Sequence, residues 1–262
     1  MQTEFKIDPR GGHNRYNCNF DFFKHWTDEM AYVLGFLYAD GDITDAISSR
    51  TQYIEFSSTD KDILKEIKVV MNSGHPLFLR PAHLVKHRNG IYKSNNSFIF
   101  RIGSRTMFND LIELGVTPHK SKTIIFPSSI PEEYLRHFVR GYFDGDGCVY
   151  FRQLRSTTKP LMVKGLSIIF TSGSFLFLEK LEEIIRNRLI LNHRGVHRNN
   201  RAFQLRYYTR DSIKIFKFLY KSCPKHLCLR RKFNIFNNYF NLSKRNIDFD
   251  VNRILKNYSE SN

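Results

Sequence analysis

The chain has 262 residues, 41% of them hydrophobic and 15% aromatic, enough for a substantial core and too apolar for a disordered chain. No apolar run approaches the roughly 20 residues of a membrane span, "MQTEFKIDPRGG" lacks a signal-peptide core, and Cys18, Cys148, Cys223 and Cys228 show no disulfide framework spacing. A soluble intracellular protein is expected, and 41 Lys and Arg against 25 Asp and Glu, a net charge of +16, favour a polyanionic partner.

In chain order, an amphipathic helix is predicted near Thr27–Asp40, followed by two strand-like runs. The second, "TQYIEFSS", alternates, with Ile54 and Phe56 on one side and Tyr53 and Glu55 on the other. The helix "STDKDILKEIKVVMN" comes next, with Ser58 or Thr59 as its N-cap. "HPLFLRPAHLVKH" and "SFIFRIGS" read as strands around a polar loop, and "RTMFNDLIELG" as a helix stopped by Gly115. The order then repeats. Pro131 opens the helix "PEEYLRHFVRGYFDG", "CVYFRQL" and "GLSIIFTS" read as strands, and "SFLFLEKLEEIIRNRL" as a helix. The strand "AFQLRYYT" and the helix "RDSIKIFKFLY" complete the second unit.

Local echoes support a duplication, "IEFSS" against "IIFTS" and "FRIGSRTMFNDLIEL" against "LRYYTRDSIKIFKFL". The helix ends are 106 positions apart and the later segments 114, so about eight extra residues fall between the first two strands of the second unit. The expected units are residues 27–126 and 131–240, with an N-terminal extension 1–26 and a C-terminal tail 241–262. Charge is unevenly spread. No acid occurs from Ile67 to Asn109, Gly147 to Leu178, Ile184 to Arg210 or Ser212 to Ile247. This segregation predicts a basic face of strands and loops with acid-bearing helices behind it.

Two helices end in a way that needs explaining. "VLGFLYADG" (Val33–Gly41) and "VRGYFDGDG" (Val139–Gly147) each place an aspartate, Asp40 and Asp146, at the negative end of a helix dipole. Gly35 and Ala39, like Gly141 and Gly145, lie four apart and so share one helical face. Such faces let backbones approach closely, and packing the two helices on each other would bring Asp40 and Asp146 together.

These two nine-residue motifs resemble those of the LAGLIDADG homing endonucleases in their single-chain, two-motif form, over about Thr27 to Tyr239. Each has glycine third, a small residue seventh, aspartate eighth and glycine ninth. Tyr38 departs from the acid common at the sixth position, where the second motif keeps Asp144, and Arg140 replaces a usual small residue. The resemblance implies an α+β monomer of two pseudo-symmetric αββαββα halves. Antiparallel saddle-shaped sheets are backed by helices, with the motif helices at the interface. It further implies site-specific, metal-dependent hydrolysis of both strands of a long double-stranded DNA site. Mg²⁺ or Mn²⁺ would be held by Asp40 and Asp146, with the carbonyls of Ala39 and Gly145 as extra ligands.

Two carboxylates at close range repel one another, so the pair itself asks for a cation, and Mg²⁺ takes oxygen ligands. Asp42 and Asp144 are the neighbours that a shift of register would promote. A basic residue near each cleavage point is also implied: "TPHKSKT" offers Lys120 and Lys122, and "CLRRKF" offers Arg230, Arg231 and Lys232, with Lys122 and Arg231 favoured. Alternation predicts Tyr53, Arg101, Tyr150, Arg152, Gln204 and Arg206 as outward DNA-contacting residues, since a β-ribbon fits the major groove.

Other readings explain less. A DxDG phosphatase motif is needed once and leaves the repeat unexplained, and "DGDG" lacks the later ligands of an EF-hand. "CPKHLC" offers Cys223, His226 and Cys228 to zinc without a second pair. The alternative within the family is an RNA-splicing maturase or DNA-binding regulator that does not cleave.

Overall fold

The computed structural model describes residues 16–46, 51–87, 90–154, 162–224, 226–243 and 247–259. The first half runs α1 (Asp28–Asp40), β1 (Gly41–Ala46), β2 (Thr51–Ser58), α2 (Lys61–Val70), β3 (Leu77–Arg80), β4 (Leu84–His87), β5 (Gly90–Lys93), β6 (Ser97–Gly103) and α3 (Arg105–Glu113). The second runs α4 (Leu135–Asp146), β7 (Gly147–Leu154), β8 (Met162–Ser172), α5 (Phe175–Leu189), β9 (His197–Asn199), β10 (Ala202–Tyr208) and α6 (Thr209–Tyr220). Helices α7 (Arg230–Ser243) and α8 (Phe249–Ser259) follow. Among the described residues no helix is long and apolar enough to cross a membrane.

Each half holds one antiparallel sheet, β1-β2-β6-β3 and β7-β8-β10-β9. The registers correspond: Gly41 faces Phe56 and Phe56 faces Phe100, while Gly147 faces Phe170 and Phe170 faces Leu205. Alternation explains which faces turn inward. Ile54, Phe56, Phe100, Ile102, Ile168, Phe170, Leu205 and Tyr207 are fully buried against the helices, as a one-face-buried antiparallel sheet requires. The fold is therefore the α+β, two-half architecture, with antiparallel sheets backed by helices.

Three local expectations need correction. The run "HPLFLRPAHLVKH" is not one strand: the chain breaks at Pro81–His83, and β4 pairs with β5 in a separate hairpin. Proline has no N–H to give a ladder, and Asn96 Oδ1 instead accepts from the Ala82 N–H (2.7 Å). The N-cap of α2 is Asp60 rather than Ser58 or Thr59, and Ser58 Oγ accepts from the Asp60 N–H (3.1 Å). Pro131 opens a 3₁₀ turn, Glu132–Tyr134, before α4 begins at Leu135.

Residues 1–15 of the N-terminal extension lie outside the described residues. The remainder packs on the first half, with Cys18, Phe22 and Phe23 buried and Asn17 accepting from the Gly74 N–H (2.8 Å). Beyond residue 240, α8 buries Val251 and Ile254, and Tyr258 stacks on Phe233 with ring centroids 3.8 Å apart.

Candidate functional site

Helices α1 and α4 cross at their glycines. A Cβ added to Gly35 would lie 2.0 Å from the Phe138 carbonyl oxygen, and one on Gly141 would lie 2.0 Å from that of Tyr32. Each glycine therefore touches the opposite backbone. Further along, a Cβ on Gly145 would meet the Ala39 Cβ at 2.4 Å and Asp40 Oδ2 at 3.4 Å. The two helix ends thus converge and bring Asp40 beside the backbone that carries Asp146.

The electrostatics follow from that closeness. Burial raises the pKa of both carboxyls, and the charge of Asp40 raises Asp146 further, to about 6. Opposing this are two ammonium groups that sequence reasoning did not favour. Lys120 and Lys232 are 4% and 2% exposed. Burial lowers both pKa values, that of Lys232 to about 8, and the charges of the nearby aspartates pull back the other way. Lys232 Nζ donates to the carbonyls of Phe143 (2.6 Å), Asp144 (2.8 Å) and Gly145 (3.2 Å), so a cation sits on the negative end of α4.

Lys122 and Arg231 are exposed instead, and Arg231 Nε donates to Asp60 Oδ2 (2.6 Å), leaving the N-cap carboxylate without a capping bond. The sequence did hold a signal for Lys232: it lies four and seven residues before the buried Phe236 and Tyr239, on the apolar face of α7. Lys120 sits in a short 3₁₀ turn that touches the other half. There a Cβ on Gly173 would lie 2.0 Å from the Ser121 carbonyl oxygen. No periodicity reports such a contact.

Of the two departures from the motif, both are occupied. Tyr38 Oη donates to the Leu114 carbonyl (2.7 Å). Arg140, fully buried, donates to the carbonyls of Leu227 and Leu219 (both 3.1 Å) and to His137 Nδ1 (3.1 Å). His137, its pKa lowered to about 3 by burial and by Arg140 and Arg136, keeps its proton on Nε2, which faces Asp28 Oδ1 at 3.2 Å. Asp42 is exposed and accepts from Thr44 Oγ1 (2.9 Å). Asp144 is buried and tied to Tyr32 Oη (2.8 Å) and the Leu229 N–H (2.9 Å).

As a donor set, Asp40 and Asp146 supply two mutually repelling carboxylates, the first half-buried and the second exposed, which suits a hard cation that completes its shell with water and phosphate oxygens. Among the described residues no cluster of three or more His, Cys, Asp or Glu side chains could hold a metal alone. The Gly145 carbonyl is already engaged by Lys232, whereas among the described residues the Ala39 carbonyl has no such side-chain partner. Cys223 bonds Tyr258 Oη (3.1 Å) and His226 is exposed, so "CPKHLC" does not assemble as a zinc site.

The candidate readers all stand on the outer faces of the sheets. Arg101 is exposed, but its Nε donates to Glu55 Oε2 (2.7 Å) and its guanidinium lies over the Tyr53 ring (5.5 Å). In the second half Ile169 faces Arg206 where Glu55 faces Arg101, and Arg206 Nη2 reaches Gln204 Oε1 (3.4 Å). Tyr150 is half-buried, Arg152 is exposed, and a bulge falls between Phe151 and Arg152. Gln204, Arg206 and Tyr208 also line a groove with His193, Arg194, His197 and Arg198. These last four were missed individually, although they fall inside the acid-free run Ile184–Arg210. Buried Glu182 holds their loop by accepting from the Arg194 N–H (3.1 Å).

The matching family model and the solved structures agree on one fold. Residues 133–219 match the LAGLIDADG-like domain. The chain is 27% identical over 148 residues to the DNA-directed RNA polymerase subunit Rpo1C of Methanocaldococcus jannaschii, and 27% over 202 residues to the reverse gyrase of that organism. Those stretches are 55% and 77% of this chain but only 14% and 10% of the two relatives' lengths. Among solved structures, the homing endonuclease I-WcaI bound to its DNA recognition sequence superimposes with a TM-score of 0.54 at 15% identity, covering 82% of this chain and 90% of that one. The LAGLIDADG meganuclease I-AabMI bound to uncleaved DNA gives 0.51 at 13%, covering 88% and 98%. Residues 133–219 thus resemble a LAGLIDADG-like domain, within a chain that has the two-half fold seen in the LAGLIDADG homing endonucleases.

Proposed function

We propose that this protein is a site-specific endonuclease that hydrolyses both strands of a long duplex DNA site with a divalent cation such as Mg²⁺ or Mn²⁺. The observation that carries the reading is the convergence of Asp40 and Asp146 at a seam between two sheets, the second of which has a basic groove on its outer face. In this reading residues 27–126 and 131–240 each attend to one strand, and the chain works as a monomer. The description of I-WcaI and I-AabMI as DNA-bound supports DNA as the partner.

A bound cation would stabilise charge on the transferring phosphoryl group and supply an activated water. The chain's own residues do the remainder. Asp40 and Asp146 would hold the cation, and the raised pKa values of both carboxyls support a pair that a cation would relieve. Lys120 and Lys232 bring positive charge to phosphate oxygens from a partly dehydrated place, where charge interactions are stronger than in water. Arg152, Gln204, Arg206 and the groove residues His193 to Arg198 lie where a duplex would contact the second sheet. Tyr150 lies there too, and Tyr53 and Arg101 occupy the corresponding face of the first sheet.

The test is selection of cut sites from a randomised duplex library with Mg²⁺, repeated with EDTA and with Asp40→Asn. Enrichment of one long site only with the metal and the wild-type chain supports the reading. Binding of a defined site without any cutting would replace it by a non-cleaving regulator.

A further inference from the structure

We propose that the sixth residue of each motif, Asp144 in the second and Tyr38 in the first, is a positioning residue for the buried lysine of its own half, Lys232 and Lys120. The proposal rests on the endonuclease reading for its catalytic meaning, but its structural content stands apart from it.

The second half shows the device most fully. Leu229 is where α7 begins, since its carbonyl accepts from the N–H groups of Lys232 (2.9 Å) and Phe233 (3.2 Å). The N–H of the same Leu229 is bound by Asp144 Oδ2 at 2.9 Å. Lys232 stands three residues on, and its ammonium returns to α4 at the carbonyls of Phe143, Asp144 and Gly145. A closed ring of bonds results, running from the Asp144 side chain to Leu229, along one turn to Lys232, and back to the Asp144 main chain. The ring fixes α7 to the end of α4, one residue before Gly145 and two before Asp146. Asp144 is 1% exposed, and its Oδ1 has no hydrogen-bond partner among the described residues. A buried carboxylate held so sparingly is costly for a residue that only fills space.

The first half solves the same problem with other chemistry. Tyr38 Oη donates to the carbonyl of Leu114, the residue that ends α3 (2.7 Å). Gly115 then turns with a φ of +86°, and a Cβ there would come within 2.9 Å of the Tyr38 hydroxyl. Val116 is fully buried, and Lys120 follows, its carbonyl accepting from the Ile124 N–H (2.9 Å). The sixth position thus reaches the segment that delivers a lysine in both halves. It accepts a backbone N–H in one and donates to a backbone carbonyl in the other, which explains how an acid and a tyrosine occupy equivalent places. The anchor lies three residues before Lys232 but six before Lys120, so the first half should respond less.

The experiment uses the full chain and a selected duplex carrying a different label on each strand. Asp144→Ala should slow cutting of one strand about tenfold or more relative to the other, leaving a nicked product. A misplacement of about 1 Å near the chemistry costs on the order of a hundredfold. Asp144→Asn, which keeps an oxygen for the Leu229 N–H, should restore most of the lost rate. Tyr38→Phe removes one hydroxyl from a well-packed ring and should slow the opposite strand by a few-fold.

A general loss of packing would slow both strands alike, and that result, or the same strand spared by both variants, overturns the proposal. If the wild-type chain cuts no duplex, the endonuclease reading fails and amide hydrogen exchange decides the positioning. The Leu229 and Lys232 amides should exchange at least about tenfold faster in Asp144→Ala than in the wild type or Asp144→Asn. Unchanged exchange there overturns it.

Discussion

Gly141→Ala is the sharpest test of the seam, because a single methyl group meets backbone and has nowhere to go. Its Cβ would lie 2.0 Å from the Tyr32 carbonyl oxygen, 2.8 Å from the Phe36 nitrogen and 2.9 Å from the Tyr32 carbonyl carbon. Ordinary contact begins near 3.4 Å, so α1 and α4 must part by about 1.4 Å at this point. Overpacking of this kind typically costs 1–3 kcal/mol, and about 2–4 °C of melting temperature goes with each kcal/mol in a protein of this size.

The seam also carries the Tyr32–Asp144 bond and the approach of Ala39 to Gly145, so separation should spread to both aspartates. A displacement of about 1 Å at the chemistry corresponds to roughly a hundredfold loss of rate. Thermal melting followed by circular dichroism and the cleavage rate of a selected duplex measure the two effects. Gly35→Ala should match it, since its Cβ would meet the Phe138 carbonyl oxygen at the same 2.0 Å. Gly74→Ala, with its nearest neighbour at 3.6 Å, should change neither. Wild-type melting and cutting in both seam variants would refute the close crossing, and the paired site with it.

Asp146→Asn should abolish cleavage, retain DNA binding and stabilise the metal-free protein at neutral pH. The folded-state pKa of about 6 lies above the ordinary 3.8, so the native state binds more protons between those values and loses stability as pH rises through that window. The ionised form is therefore the less stable one at pH 7, by an amount that solvent screening of this exposed side chain reduces and that the amide removes; urea unfolding from pH 4 to 7.5 checks the sign. Lys232→Met should keep the buried stem but take the ammonium away from three carbonyls of α4, of which Phe143 keeps the Gly147 N–H, lowering the melting temperature and slowing cleavage by at least about tenfold. DNA affinity should fall steeply between 50 and 200 mM salt in filter binding, roughly 10³-fold or more if six phosphates are contacted. Arg206→Ala should relax base choice at one position by about 1–3 kcal/mol, measured by competition among single-base site variants.

How much of this was legible in the sequence depends on the range of the interaction. Period-two alternation put Ile54, Phe56, Leu205 and Tyr207 inward, and the spacing of Gly35 with Ala39 and Gly141 with Gly145 placed the seam. Both are local patterns. The pairing of Arg101 with Glu55 was hidden because the partners are 46 residues apart and meet only through strand register. Lys120 was hidden for a similar reason, as its turn meets Gly173 and its charge faces Asp146, both in the opposite half. Lys232 was readable from its place on the apolar face of α7, but a lysine there runs against the expectation that charged residues face water.

The seam has a consequence for shuffling. Its closest contacts are glycine against carbonyl, and backbone atoms are the same in every protein, so they carry no code for which half may marry which. Recognition between halves falls to side chains, and where α1 meets α4 its polar part is Tyr32 with Asp144, Asp28 with His137, and Arg140 lying over the Tyr32 ring. A foreign half that keeps the glycines and supplies counterparts to those groups would meet the geometric and polar terms together. One that presents an aliphatic side chain opposite Asp144 would leave a buried carboxylate with one donor fewer. The compatibility of grafted halves should therefore track three or four positions rather than overall similarity.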